Sequence, residues 1–358
     1  MKQVAILIAI FIGHSSYAQP SDPPLYKATF VQDLTWIQAR EVLNENTIVV
    51  IPLGADSKEH GPHLLLKNDR LLANYFTDRL AKEEDVMIYP TIGYHFYPSF
   101  VEYAGSTTLR FETSYQLIID LCQLIASHGP KKIYILNTGV STIRPLKVAS
   151  EKLAAQGILL TYTDIIHVAE EEEKKIKKQP MGTHADEIET SMMLYIAPET
   201  VDMAKAARDI PEKNVPGPLS LDPKSDRYSP TGIFGDATLA TVEKGKIVAE
   251  ATVRGIIREV QQLRVAELPS ASQISNPMKY TGPFRINTQQ KIVISEKNGM
   301  LYFQLNNDRS TKLTPESENA FYIGQNGRIV FSVNEKGTID RCYFNLSGTD
   351  YFATKIPN

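Results

Sequence analysis

Thr47 to Leu53 is an apolar, β-branched run closed by Gly54, and it constrains everything around it. A strand without a polar face has to be covered on both sides, which is the environment of a parallel sheet packed between helices. Comparable runs begin at Val86, Lys132 and Ile158. Helical spacing separates them after Asp69, from Ser114 to Ser127 and from Thr142 to Gln156. The alternation predicts a layered α/β domain, closed by an amphipathic helix on which Val253, Ile256, Ile257, Val260 and Leu263 recur at helical intervals.

The segment from Pro52 to Asp69 carries the densest chemistry, with Glu59, His60, His63 and Asp69 in one short stretch after that strand. Ligands of open α/β sheets bind outside the carboxyl ends of the strands, and imidazole mixed with carboxylate suits zinc, manganese or iron better than calcium. A carboxylate such as Asp69 can bridge two ions. The plainer alternative is that Glu59 and His60 hydrogen-bond a tight turn while Asp69 caps a helix starting near Arg70. Buried charges need partners or ions, which favours the metal reading.

This segment resembles the signature of the creatininase family, metal-dependent amidohydrolases, which reads approximately Pro-Val-Gly-Ser-Thr-Glu-Gln-His-Gly-Pro-His-Leu-Pro and ends in Asp. His60 and Asp69 fall on two family ligands. Where the family has its ligand Glu, two residues before the His, this chain has Lys58, and Glu59 stands next to the His. A second block, Gly182 to Leu194, resembles the family's His-Ala-Gly-Glu-x-Glu-Thr-Ser. It makes His184, Glu187 and Glu189 the implied acid/base groups. On a continuous helix His184 and Glu187 share a face and Glu189 does not, unless the first residues are still loop. In the third block the family's Asn-Gly-His-Gly-Gly-Asn appears as Asn137 to Thr142, and its ligand histidine is Gly139.

The resemblance spans about Thr35 to Gln262. It implies a three-layer α/β/α domain, a metal shell of Glu59, His60 and Asp69, and one or two divalent ions, zinc or manganese with iron as a further option. The implied reaction is hydrolysis of a C–N bond in a cyclic or linear small-molecule amide by metal-activated water, in a homo-oligomer. A binding protein without turnover, motivated by Lys58 and Gly139, and an enzyme of precursor maturation are the alternatives. Smaller matches, Gly93-Tyr-His95 and Tyr103 to Leu109, are expected to line the pocket. Tyr228 to Ala240 resembles a late family loop whose glycines shape a lid or subunit contact. Pro211 to Pro230 reads as a long loop near the site or at an oligomer contact, and Glu170 to Lys178 as a solvated helix face.

Beyond Glu267 the character changes. Leu268 to Pro277 is a polar, Pro-bounded linker, and short β-rich runs follow, separated by Asn298-Gly299, Asn326-Gly327 and Lys336-Gly337 as hairpin turns. The expected organisation is a signal peptide over 1–18, a hydrolase domain over 24–267, the linker over 268–277 and a small antiparallel β domain over 278–358. That last domain resembles modules appended to secreted bacterial hydrolases.

A net charge of -3 and 42% hydrophobic residues in 358 suit a globular chain and give no support to nucleic-acid binding. Cys122 and Cys342 fall in different domains, which argues against a disulfide between them. Lys2, the apolar stretch Val4 to Ile12 and the small residues of Ser16-Tyr-Ala18 have the layout of an export signal, too short to span a bilayer. No other stretch is long and apolar enough to span. Expression of the full chain in a Gram-negative host is expected to yield periplasmic protein that begins just after Ala18. Amino-terminal sequencing that finds Met1 retained in the cytoplasm contradicts this.

Overall fold

In this computed structural model, residues 26–211, 217–270, 276–324, 327–335 and 337–357 are described. The expected signal peptide lies outside them, as do the middle of the linker and parts of two expected hairpin turns. The first half of the chain runs β1 (Thr29–Phe30), α1 (Trp36–Val42), β2 (Ile48–Leu53), α2 (Asn68–Glu83), β3 (Met87–Ile88), α3 (Phe111–Ser127), β4 (Lys132–Asn137), α4 (Ile143–Ala154) and β5 (Leu159–Tyr162). Its five strands form one parallel sheet in the order β1-β3-β2-β4-β5.

Every residue of β2 is buried, as a central strand without a polar face requires. Its side chains alternate between two cores. Ile48 and Val50 join one cluster, which holds residues of α2 and of two later helices; Val49, Ile51 and Leu53 join the other, with residues of α3 and α4. The sheet is therefore the middle of three layers, as the resemblance implies. After β5 come α5 (Glu170–Ile176), α6 (Glu187–Ile196), the paired two-residue strands β6 (Arg208–Asp209) and β7 (Gly235–Asp236), and α7 (Val242–Val265). Helix α7 closes the domain, with Val253, Ile256, Val260 and Leu263 buried and Ile257 packed at the edge of the core.

Two close backbone approaches set the geometry of the site. A Cβ on Gly54, at the exit of β2, would come within 2.4 Å of the Asp69 carbonyl, so this glycine lets α2 begin directly against the strand end. Gly54 is thus selected for proximity rather than for an unusual turn. A Cβ on Gly245 would meet the Ser191 carbonyl, so Gly245 lets α7 press directly on the backbone of α6.

The carboxy-terminal strands β8 (Gly282–Arg285), β9 (Lys291–Lys297), β10 (Met300–Leu305), β11 (Thr311–Ser317), β12 (Ala320–Ile323), β13 (Gly327–Val333), β14 (Ile339–Leu346) and β15 (Thr349–Lys355) close into an antiparallel barrel. Its interior is filled by Tyr280, Phe284, Phe303, Phe321, Phe331 and Phe344 with aliphatic residues between them, so it is a packed core rather than a channel. Asn298 and Gly299 both take positive φ, the backbone that a two-residue hairpin turn requires. Cys122 and Cys342 are buried free thiols. Among the described residues no helix is long and apolar enough to cross a membrane.

Alanine is the better helix former by about 1 kcal/mol, yet Gly245→Ala is expected to destabilise the protein by about 1–3 kcal/mol, because the added methyl overpacks the α6–α7 contact. Urea denaturation followed by circular dichroism checks the sign; an unchanged or raised midpoint contradicts it.

Candidate metal and hydrolytic centre

Strand β2, the loop after it and the start of α6 bring three carboxylates, two imidazoles and one ammonium into a continuous buried chain. Lys58 Nζ lies 2.7 Å from Asp69 Oδ2, and Asp69 Oδ1 lies 2.9 Å from His60 Nε2. The same His60 nitrogen is 3.4 Å from Glu189 Oε1. Glu189 Oε2 faces His184 Nδ1 at 3.7 Å, and His184 Nε2 reaches Glu59 Oε2 at 3.0 Å. Lys58, Glu59, His60, Asp69 and His184 are all buried.

The helix start decides which glutamate takes part. His184 and Ala185 precede the helix, Asp186 is its N-cap through bonds to the N–H groups of Ile188 and Glu189, and Ala185 takes a left-handed φ of 48°. That turn brings Glu189 back beneath His184, with Oε2 accepting from Ala185 N and Oε1 from Asn68 Nδ2. Glu187 points the other way. Its carboxylate accepts the N–H groups of Lys178 and Gln179 and pairs with Lys244 of α7. The expectation that His184 and Glu187 share a face is therefore reversed, because the block is not one continuous helix; Glu187 holds α6 to its neighbours instead.

Asp69 sits in the first turn of α2 without capping it. His63 is outside the cluster, bonded through Nε2 to Thr190 Oγ1, and burial pushes its imidazole down to about 4. His95 is fully buried with Nε2 donating to the Ser114 carbonyl, and Tyr94 is exposed; neither lines the cavity. Tyr103 to Leu109 does not line the pocket but braces it: Ser106 Oγ accepts from Glu59 N, and Tyr103 OH donates to Ser229 O. The late glycine loop clamps His184, whose N–H and C=O bond across to Phe234.

Lys58, Asp69, His184 and Glu189 open into a cavity of about 390 Å³, walled by Tyr97, Phe100 and Phe234 among others. Leu219 and Arg227 also line it, which places the long loop beside the site. Helix α5 keeps the solvated face expected of it, with the Glu170–Lys174 and Glu172–Lys175 pairs on its outside, while Glu173 and, just beyond the helix, Lys177 reach the cavity wall. Charge alternation along α5 looks the same whether that side meets water or a water-filled pocket. Burial there, partly opposed by Lys177, pushes the Glu173 carboxyl up to about 7.

The hydrogen-bond partners show what the cluster lacks. His60 Nδ1 faces the Lys58 carbonyl at 2.8 Å, and a carbonyl only accepts, so that nitrogen carries a proton. Nε2 then faces two carboxylates. His184 likewise stands between Glu59 and Glu189. His60 thus requires either a second proton or a bound cation, while His184, donating from Nε2 to Glu59, turns the lone pair of Nδ1 towards Glu189 and can offer it to a cation. With both rings neutral, three carboxylates against one ammonium leave two surplus negative charges, the charge of a single divalent ion. Donor atoms of His60, His184 and Glu189 all lie within 4.8 Å of one another. Ligands bound tetrahedrally at about 2.1 Å stand about 3.4 Å apart, so small side-chain adjustments suffice. Burial opposes ionisation of Asp69 and Glu59, but Lys58 and His60 hold the first well below the usual carboxylate range, and His184 with the Gly61 N–H lowers the second.

A family model described as creatinine amidohydrolase matches residues 32–260. The chain belongs to the creatininase family. Creatinine amidohydrolase of Pseudomonas putida is 25% identical over 257 residues, covering 66% of this chain and 97% of that protein. A mycofactocin precursor peptide peptidase of Mycobacterium tuberculosis is 27% identical over 228 residues, 59% of this chain and 84% of that one. A solved mutant creatininase of "Zn-Zn type" matches with a TM-score of 0.55 at 23% identity, over 66% of this chain and 98% of its own. A structure described as "Creatininase Mn" matches equally, with a TM-score of 0.55 at 21% identity, over 67% of this chain and all of its own. These likenesses establish the creatininase fold, and the barrel lies outside the matched region.

Burial drives the His95 imidazole down to about 4, while an unfolded histidine titrates near 6.5. Below pH 6.5 the unfolded chain takes up a proton that folded His95 refuses. Stability is therefore expected to fall by about 3 kcal/mol from this residue between pH 6.5 and 4, and His95→Gln to flatten that slope. Denaturant midpoints measured across the range check it; equal slopes in the two proteins contradict it.

Proposed function

We propose that this chain is a metal-dependent hydrolase that cleaves the C–N bond of a small cyclic or linear amide. The observation that carries this reading is a pair of buried imidazoles beside carboxylates, with His184 and Glu189 lining a cavity at the carboxyl edge of the sheet and His60 directly behind them. His60, His184 and Glu189 would hold the ion. When bound there, a divalent zinc or manganese ion polarises the amide carbonyl and brings the pKa of a bound water towards about 7. Glu59 fixes the ring of His184 from behind, as carboxylates behind metal-binding histidines do. Asn68 and the Ala185 N–H orient Glu189. Tyr97, Phe100 and Phe234 shield the reacting carbonyl from bulk water.

Glu173 is the group suited to moving the proton. It lines the same cavity, and a pKa near 7 lets it take a proton from the attacking water and return it to the departing nitrogen. In this reading Glu187 supports the fold. Export, read from the apolar stretch Val4 to Ile12 and the small residues of Ser16-Tyr-Ala18, and homo-oligomerisation are carried over as parts of the proposal.

Protein loaded with zinc or manganese is tested on creatinine, lactams, formamides and short peptides. Turnover of at least one is expected, with His184→Ala and Glu189→Gln losing both turnover and metal. Glu173→Gln is expected to lower kcat by about 10²–10⁴ and to remove the pH limb near 7. Fully metal-loaded protein that turns over none of these amides, or a Glu173→Gln variant with an unchanged pH profile, counts against the assignment.

A further inference from the structure

The cavity side of Asp69 is occupied by a charge that belongs to the protein. Lys58 Nζ approaches Asp69 Oδ2 at 2.7 Å, opposite the oxygen that meets His60. The ammonium is roofed by aromatic rings, 5.3 Å from the centroid of Phe100 and 5.8 Å from that of Tyr97. Such rings attract a monovalent organic cation through their negative faces. With Lys58 only 6% exposed and Asp69 1% exposed, this is a buried charge contact rather than a surface one, made without a directed hydrogen bond to Oδ2.

The turn after the neighbouring strand, Asn137 to Thr142, contains no carboxylate, imidazole or thiol. At the exit of β4 the Asn137 amide donates to Gly139 O and Thr163 O, and its oxygen accepts from Thr142 Oγ1. The Thr138 hydroxyl donates to Leu53 O and Asp69 O. Gly139 has no side chain, and a Cβ there would come within 2.9 Å of Thr142 Oγ1.

We propose that Lys58 is a resident cation that takes the place of a second divalent ion on Asp69, so that the centre accepts one metal ion, between His60, His184 and Glu189, and no other. The inference rests on the metal-site reading above and deepens it. Three observations converge: the ammonium on Asp69 Oδ2, the absence of a carboxylate or imidazole in the turn after β4, and the charge count that includes that ammonium. One divalent ion neutralises the two surplus negative charges, whereas two ions beside Lys58 would leave the buried cluster with an excess of two positive charges. A metal bound at about 2.1 Å to Asp69 Oδ2 would also sit in direct contact with the ammonium. Lys58 further becomes a permanent donor in the cavity wall, able to hold a substrate oxygen beside the remaining ion.

The test measures metal stoichiometry, independently of turnover. Full-length protein is stripped with a chelator, dialysed against excess zinc or manganese and assayed by elemental analysis, with the manganese form examined by electron paramagnetic resonance. One ion per chain and an isolated, uncoupled manganese spectrum are expected. Lys58→Glu, which exchanges the resident cation for a carboxylate, is expected to take up a second ion, and Lys58→Arg to remain at one. Two ions in the unaltered protein, or a spin-coupled manganese spectrum, overturn the role of Lys58 while leaving the metal site standing. A folded Lys58→Glu variant that stays at one ion also overturns it. Unaltered protein that binds no ion removes the metal-site reading itself, and this inference with it.

Discussion

A single buried chain of alternating charge organises the active half of this protein: Lys58, Asp69, His60, Glu189, His184, Glu59. Isolated, any one of these groups would be costly at its depth; in sequence, each is flanked by a partner of complementary character. Two carboxylates and the ammonium come from the loop after β2 and the first turn of α2, and the third carboxylate from the first turn of α6. The fold has to bring these elements together, and it does so with glycines. Gly54 admits α2 against the strand end, and Gly245 admits α7 against α6.

The same chain shows where the candidate site differs from the family signature it resembles. A lysine stands two residues before His60, where a carboxylate is the usual choice, and its charge is absorbed by Asp69 and two aromatic rings. Glycine at position 139 fits a turn closed by Asn137 and Thr142. Both features enter the single-ion proposal: Lys58 supplies one positive charge to Asp69, and the turn at Gly139 supplies no carboxylate or imidazole. The cavity keeps its apolar walls and gains a fixed positive group.

Much of the α/β domain was legible in the residue order. A fully apolar β2, helical spacing at α3 and α4, and the repeat along α7 all carry their periodicity within one element, where a linear reading sees it. That His60 and Asp69 would meet was legible for the same reason, both being tied to one strand–loop–helix unit. Less visible were relations between elements. Glu187 and Glu189 exchanged places because the helix starts at Glu187, and the left-handed turn at Ala185 has no marker in a sequence of ordinary residues. Helix α5 has the same charge pattern facing a cavity as it would facing solvent, so Glu173 gave no signal. The β-rich carboxy-terminal segment announced its strands and a hairpin turn, but not that β8 and β15 would pair to close a barrel.

Sequence by itself determined the elements, their apolar faces and the inventory of charged groups, because these follow from side-chain chemistry and short-range periodicity. Which of those groups meet was decided only in three dimensions. Lys58 and Asp69 are eleven positions apart and Glu59 and His184 are separated by 125, and no local rule ties them together. Burial in a shared, weakly screened space makes unpaired charge expensive, and that long-range electrostatic demand selects the pairing.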